Sequence, residues 1–489
     1  MGQRIDVDEF DERDFSRFRD RLEESLDVLG HLLDRPGFGE GPTTIGAELE
    51  LVLVDGSGLP LPRNQAVHAE AADPRVTFEL HRFNLELNAS PVLLAGRPFT
   101  EIGDELTQLL ERVSAAAGAY AGQPALIGIL PTLSKDHLTP EMMTDSPRYR
   151  ALSRGLRRMH QDPFDIQIAG ADPLHVVSND IGLEGANTSF QVHLRVSPRD
   201  FRRVYNAVQL ATAPALAVAG NSPTFLGHRL WEETRISLYK QSVDDRPGTR
   251  PHRQMSRTAL GTGWLRGGAL DLFTESVRLH QPVLPVLSEQ QPGDPADVPP
   301  LEELRLHQST VWRWNRAIYD PAAGGHLRIE MRALPAGPTV IDMLANAAFL
   351  IGLSLWLAGK DERWTYAVSF ERADESFLRA AQHGLSAEIS WPAMGQDRMR
   401  VVRAAELIPE LIPPARQGLL AVGVTAEEAD GLLGVIAQRA ATGQTGAAWQ
   451  RAALAAAKEG ADRRVAAARM FQRYLENAAT AQPVHTWPL

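Results

Sequence analysis

The chain has 489 residues, 44% hydrophobic and 23% charged, which are ordinary proportions for a folded globular protein with a large core. Its formal net charge of −11 leaves no basic surplus for phosphate neutralisation and argues against nonspecific nucleic-acid binding. With no cysteine, disulfides, thiolate metal sites and a cysteine nucleophile are excluded.

Met1 to Asp20 is rich in Asp, Glu and Arg and lacks the apolar run of a signal peptide, which accords with the cytoplasm. Phe15 to Leu33 carries apolar residues at helical spacing, and Pro36-Gly37 stops it. Thr43 to Val54 alternates as a strand and ends in the turn Asp55-Gly56-Ser57-Gly58. Val76 to Leu80 and Asn84 to Ser90 are strand-like, and Phe99 to Tyr120 is an amphipathic helix. Ala125 to Pro131 has the composition of a buried strand. Asn187 to Ser197 alternates strongly, followed by a helix over Arg199 to Ala219 and the turn Gly220-Asn221-Ser222-Pro223. Glu233 to Gln241 is expected as a strand, Val283 to Pro300 as a long loop able to cover a site, and Leu327 to Leu334 as a strand. Val340 to Ala358 is apolar over about the length that spans a membrane, but Asp342 and Asn346 interrupt it, so a buried core helix is expected. From Phe370 on, alanine-rich helical patterns dominate, and Thr425 with Glu428 has capping-box spacing. The expected organisation is a helical segment over 1–40, a catalytic domain over 41–365 and a helical region over 366–489. No G-x-x-x-x-G-K-[ST] loop is present, and GTGWLRGG (Gly261 to Gly268) has no strand before it.

Residues two apart on a strand share a face. Glu48 and Glu50 therefore point together, opposite Ala47, Leu49 and Leu51. Glu79 lies on the polar side of its segment, and Glu86 is flanked on its own face by Asn84 and Asn88. Gln191, His193 and Arg195 oppose Phe190, Val192 and Leu194, while Arg328, Glu330 and Arg332 oppose Leu327, Ile329 and Met331. Taken singly, each polar face could simply meet water. Taken together they hold glutamate, histidine, glutamine, asparagine and arginine without a lysine, as a cavity for hard divalent cations and a polyphosphate would. His193 is a plausible metal ligand through its neutral imidazole, and Arg332 is placed to meet a phosphoryl oxygen. On the expected strand at Glu233 to Gln241, Arg235 would share a face with Glu233, Ser237 and Tyr239, and could bind a carboxylate or phosphate.

These residues resemble the glutamate–cysteine ligase superfamily, in the branch of bacterial carboxylate–amine ligases. The resemblance rests on Gly46-Ala47-Glu48-Leu49-Glu50, on FELHRFNLELNASP with Glu79 and Glu86, on NTSFQVHLRV with His193, on NSPTFLGHRLWEETRISLY, and on Arg328-Ile329-Glu330-Met331-Arg332. It covers about residues 40 to 360 and leaves the tail unexplained. It implies an α+β fold like that of glutamine synthetase: a curved antiparallel sheet forming a half-open barrel, helices outside, and the C-terminal helical subdomain added. It further implies that Glu48, Glu50, Glu79, Glu86, His193 and Glu330 share two or three Mg²⁺ ions. Arg332 and Arg235 would be catalytic, with Gln191 and Arg332 contacting ATP as co-substrate. The implied partners are small molecules (ATP, glutamate or a related carboxylate, an amine such as cysteine), with neither nucleic acid nor membrane. A carboxylate–amine ligase with a different amino acid or amine, or a non-catalytic scaffold of the same fold, are the alternatives.

Overall fold

The computed structural model describes residues 5, 9–246, 254–293, 297–393, 398–457 and 462–489. Seven strands form its main sheet: β1 (Thr44–Asp55), β2 (Val76–Phe78), β3 (Asn84–Leu93), β4 (Gly122–Ala125), β5 (Phe190–Val196), β6 (Asn315–Asp320) and β7 (His326–Met331). The order is β6-β7-β5-β1-β3-β2, with β4 paired to the far end of β1, and every pair is antiparallel. The sheet curves into a half-barrel with the helices outside.

The alternation in the sequence decides which face turns in. Leu49, Leu51, Val192, Leu194, Ile329 and Met331 are all buried on the outer side. Three helices cover that side: α1 (Pro98–Gly118) packs on β3 and β1, α2 (Phe201–Ala219) on β6, and α3 (Val340–Ala358) on β5. Burying such apolar side chains contributes roughly 1.5–3 kcal/mol each before chain entropy is subtracted. The α3 segment is long and apolar enough to cross a membrane, yet 78% of that stretch is buried inside the fold, as expected of a core helix. Thr339 caps it by accepting from the Asp342 amide.

Beyond α3 the chain is mostly helical, with α4 (Ala404–Ala421), α5 (Ala426–Thr442), α6 (Gly446–Ala457) and α7 (Arg463–Ala478). α4 crosses α3 at backbone contact distance: a Cβ on Gly418 would lie 1.9 Å from the Gly352 carbonyl oxygen, so only glycine fits.

Four expectations need correction. Glu233 to Gln241 is no strand: Arg235–Ser242 is a helix, so Glu233, Arg235, Ser237 and Tyr239 do not share a face as expected. Its Ile and Tyr residues mimic strand composition, and tertiary packing decides otherwise. Of Ala125 to Pro131 only Ala125 is in a strand; the rest runs irregularly through the core, with one bridge from Ile129 to Asn187. The C-terminal region also holds a hairpin, Glu388–Pro392 with Met399–Arg403, that its alanine-rich composition did not announce. Thr425 does cap α5, but the Glu428 carboxylate turns to the Thr100 amide and hydroxyl instead of closing the capping box. In the long loop, 294–296 lie outside the described residues.

Candidate active site

Strand register brings the polar faces together. Glu50 lies directly across from Glu86, and Glu48 across from Gln191. His193 lies across from Glu330, and Glu330 across from Arg316. Side chains directly opposite on one face are about 4.5–5.5 Å apart at Cβ, and like charges so placed are destabilising. All of these but His193 line a cavity of about 1150 Å³ on the concave side, together with Arg148, Tyr149, Glu184, Tyr239 and Trp312.

Two triads result, Glu48 with His193 and Glu330, and Glu50 with Glu79 and Glu86. In each, one ligand atom per residue lies within 4.8 Å of the others. All six residues named from the sequence as metal ligands thus gather into two groups that could each hold a cation. In the first triad, Nε2 of His193 is 3.2 Å from Glu48 Oε1, yet this buried nitrogen has no hydrogen bond. Burial works to raise Glu48, but nearby positive charge, His193 foremost, brings the carboxyl down to about 2. Burial also works to raise Glu330, but Arg316 and Arg332 hold it well below the usual carboxylate range. Arg316 forks onto Glu330 at 2.7 and 3.0 Å.

The second triad behaves oppositely. Burial, with Glu48 and Glu50 nearby, pushes Glu86 up to about 8. Burial, with Glu50 and Glu86, raises Glu79 well above its ordinary value, and burial raises Glu50. A hard divalent cation with oxygen ligands would relieve that repulsion, so the donor set fits Mg²⁺.

Arg332 and Gln191 connect the triads. Arg332 Nη1 donates to Gln191 Oε1 at 2.6 Å and to Glu330 Oε2 at 3.2 Å. Gln191 Nε2 in turn donates to Glu50 Oε1 at 2.8 Å, and the Ser189 amide donates to Glu50 Oε2 at 2.6 Å. The Gln191 amide is therefore engaged at both ends. Arg235 also lines the cavity, but its Nε is on Glu233 at 2.8 Å and its Nη2 on the Ala333 carbonyl at 2.7 Å.

Three site residues escaped the sequence. Arg316 stands on β6, whose alternation N-R-A-I-Y-D was a usable signal. Glu184 sits on a single 3₁₀ turn, where no periodicity exists; burial and the neighbouring Glu50 push it up to about 8. Arg148 comes from the helix Pro147–His160. Arg195, grouped with His193 by alternation, bonds outside the site to the Glu40 carbonyl at 3.0 Å.

Comparison with known proteins bears on the family and the fold. A protein of Mycobacterium sp. (strain KMS) named "Putative glutamate--cysteine ligase 2-2" is 26% identical over 184 residues, 37% of this chain and 43% of that protein. One of the same name from Mycolicibacterium vanbaalenii is 33% identical over 108 residues, 22% of this chain and 28% of its own length. The chain thus matches less than half of either relative. The structure of a glutamate–cysteine ligase from Francisella tularensis in complex with AMP superposes with a TM-score of 0.57 at 11% identity, covering 89% of both chains, which shows a shared fold. The model of glutamate-cysteine ligase family 2 (GCS2) matches residues 44–468, and the chain belongs to that family.

Proposed function

We propose that the cavity is the active site of an ATP-dependent carboxylate–amine ligase that joins the γ-carboxylate of glutamate to an amine such as that of cysteine. The observation that carries this reading is the pair of acidic triads joined through Gln191 and Arg332 on one concave face. Pockets for single ligands run to about 300–1,000 Å³, so the larger volume here suits a nucleotide and an amino acid together.

Glu48, His193 and Glu330 would hold one Mg²⁺ and Glu50, Glu79 and Glu86 another. Bound there, the cations would neutralise phosphate oxygens during transfer. Arg332, with Nη1 fixed by Gln191 and Glu330, keeps Nη2 and Nε for the transferring phosphoryl group. A glutamate γ-carboxylate oxygen attacks the γ-phosphorus of ATP, the bond to the bridging oxygen breaks, and ADP leaves. The amine then attacks the acyl carbon of the γ-glutamyl phosphate, phosphate leaves, and the nitrogen loses its proton. Walls from Leu80, Trp312 and Trp314 shield the acyl phosphate from water. Tyr239, 6.2 Å from Trp312 and 5.9 Å from Trp314, completes an aromatic wall of the cavity.

Mass spectrometry after incubation with ATP, Mg²⁺, glutamate and a panel of amino acids and amines tests the proposal. The expected products are a glutamyl amide, ADP and phosphate. Formation of AMP and pyrophosphate, or no amide with any acceptor, contradicts it.

A further inference from the structure

The helical tail reaches the active site through a buried polar network. Its centre is Asn221, in the turn after α2. The Asn221 side-chain nitrogen donates to the Ala336 carbonyl at 2.8 Å and to the Tyr474 hydroxyl at 2.9 Å. Tyr474, on α7, donates onward to the Leu126 carbonyl at 2.7 Å. Gln450, on α6, donates to Asn221 Oδ1 at 2.8 Å and to its backbone oxygen at 3.0 Å. α6 is seated hard on this centre, since a Cβ on Gly446 would lie 2.2 Å from Asn221 Oδ1. Asn221, Tyr474 and Gln450 are each wholly buried.

The Asn221 amide also donates to Glu233 Oε2 at 2.9 Å, and the Ser222 hydroxyl donates to Glu233 Oε1 at 2.5 Å. Glu233 holds Arg235, and Arg235 holds the Ala333 carbonyl. Backbone positions 333 and 336, immediately after Arg332, are thereby gripped from one side by a single connected network. On the other side the same segment bonds β5: the Phe190 amide donates to Leu334 at 3.0 Å and the Ala336 amide to Thr188 at 3.2 Å. Ser189, between those two, is the residue whose amide fixes Glu50.

We infer that the C-terminal helices brace the reaction centre, and that Tyr474, Gln450, Asn221, Glu233 and Arg235 are positioning residues for Arg332. This rests on Arg332 being the phosphoryl contact proposed above. Two of the three Arg235 nitrogens are engaged with protein groups, so its part is to hold the chain after Arg332 and not to bind substrate. The network supplies no group to the cavity from the tail; it fixes where the arginine stands. Misplacement of a catalytic group by about 1 Å can cost roughly 100-fold in rate.

Steady-state kinetics and calorimetry on the full chain test the brace with Tyr474→Phe and Gln450→Met. Glu428→Ala, which removes a different contact of the tail, to Thr100, serves as the control. Both network variants are expected to lose roughly 10- to 100-fold in kcat, with KM for ATP and Mg²⁺ affinity within about twofold of wild type, while Glu428→Ala keeps its kcat. If Tyr474→Phe fails to fold, Gln450→Met carries the test alone. Network variants that lose no more kcat than Glu428→Ala, or that lose KM and metal affinity in step with kcat, overturn the brace. Arg332→Lys separates the two levels. A normal rate in that variant removes the phosphoryl-contact reading itself; a large loss there beside normal network variants removes the brace alone.

Discussion

Two buried charged assemblies in this protein follow opposite rules. Behind the sheet, Asp342 and Arg439 meet one to one at 3.0 Å with both side chains out of water. Arg439 also donates to Asn346 and the Val218 carbonyl, and Asp342 accepts from Thr339 and the Val484 amide, so the charges cancel and most donors are used. On the concave face, five glutamates and a histidine form two triads, and Glu50 directly faces Glu86. Arg316 and Arg332 contact Glu330 in the first triad; the second keeps a negative surplus that raises its carboxyls. Burial of charge alone therefore marks nothing. Uncompensated like charge, held in place by strand register, is what marks the candidate cation site.

The largest break of this contrast is expected from Glu330→Gln, which should reduce ATP turnover of the folded protein by about 10³-fold. Arg439→Met attacks the other assembly. Leaving Asp342 buried without its partner should cost roughly 3–5 kcal/mol in urea unfolding, with turnover kept by the folded fraction. Exchanged outcomes, activity surviving in the first and vanishing in folded protein of the second, would erase the distinction. Arg332→Lys keeps charge but loses the planar fork, and a fall of about 100-fold in kcat is expected.

The pH dependence sharpens the comparison further. Glu86 has its ordinary value near 4.5 when unfolded and about 8 when folded, so the folded state holds a proton that the unfolded state has released between those limits. Metal-free stability should then fall as pH rises from 4.5 to about 8, since the unfolded form binds fewer protons. Mg²⁺ competes with that proton and should remove the fall, more strongly at pH 8 than at pH 6. Thermal melts with and without Mg²⁺ across that range check both signs. The smallest effect is Glu86→Gln: relieving the repulsion with Glu50 should raise metal-free stability by about 1 kcal/mol, whereas any loss would argue that the second triad carries no surplus charge.

The site was legible where strands carry it. The period of two exposed Glu48, Glu50, Glu86, His193 and Glu330 as members of polar faces, and the structure gathers all of them with Glu79. The same rule was blind to elements without a period. Glu184 stands on one 3₁₀ turn, and Arg235 and Tyr239 share a cavity wall because four residues make a helical turn, not because a strand alternates. His81, two residues from Glu79 and so on its side by a period of two, is buried in the core against Phe83, 4.7 Å between ring centres. Long-range pairing was beyond a local pattern altogether. Asp342 was visible as an interruption of an apolar helix, but its partner lies 97 residues away.

Crystals soaked with Mn²⁺ in the presence of a non-hydrolysable ATP analogue, measured for anomalous scattering at the manganese edge, test the central claim most directly. One peak among Glu48, His193 and Glu330 and another among Glu50, Glu79 and Glu86 are expected. Diffraction showing the analogue bound with no anomalous density at either triad would contradict the account.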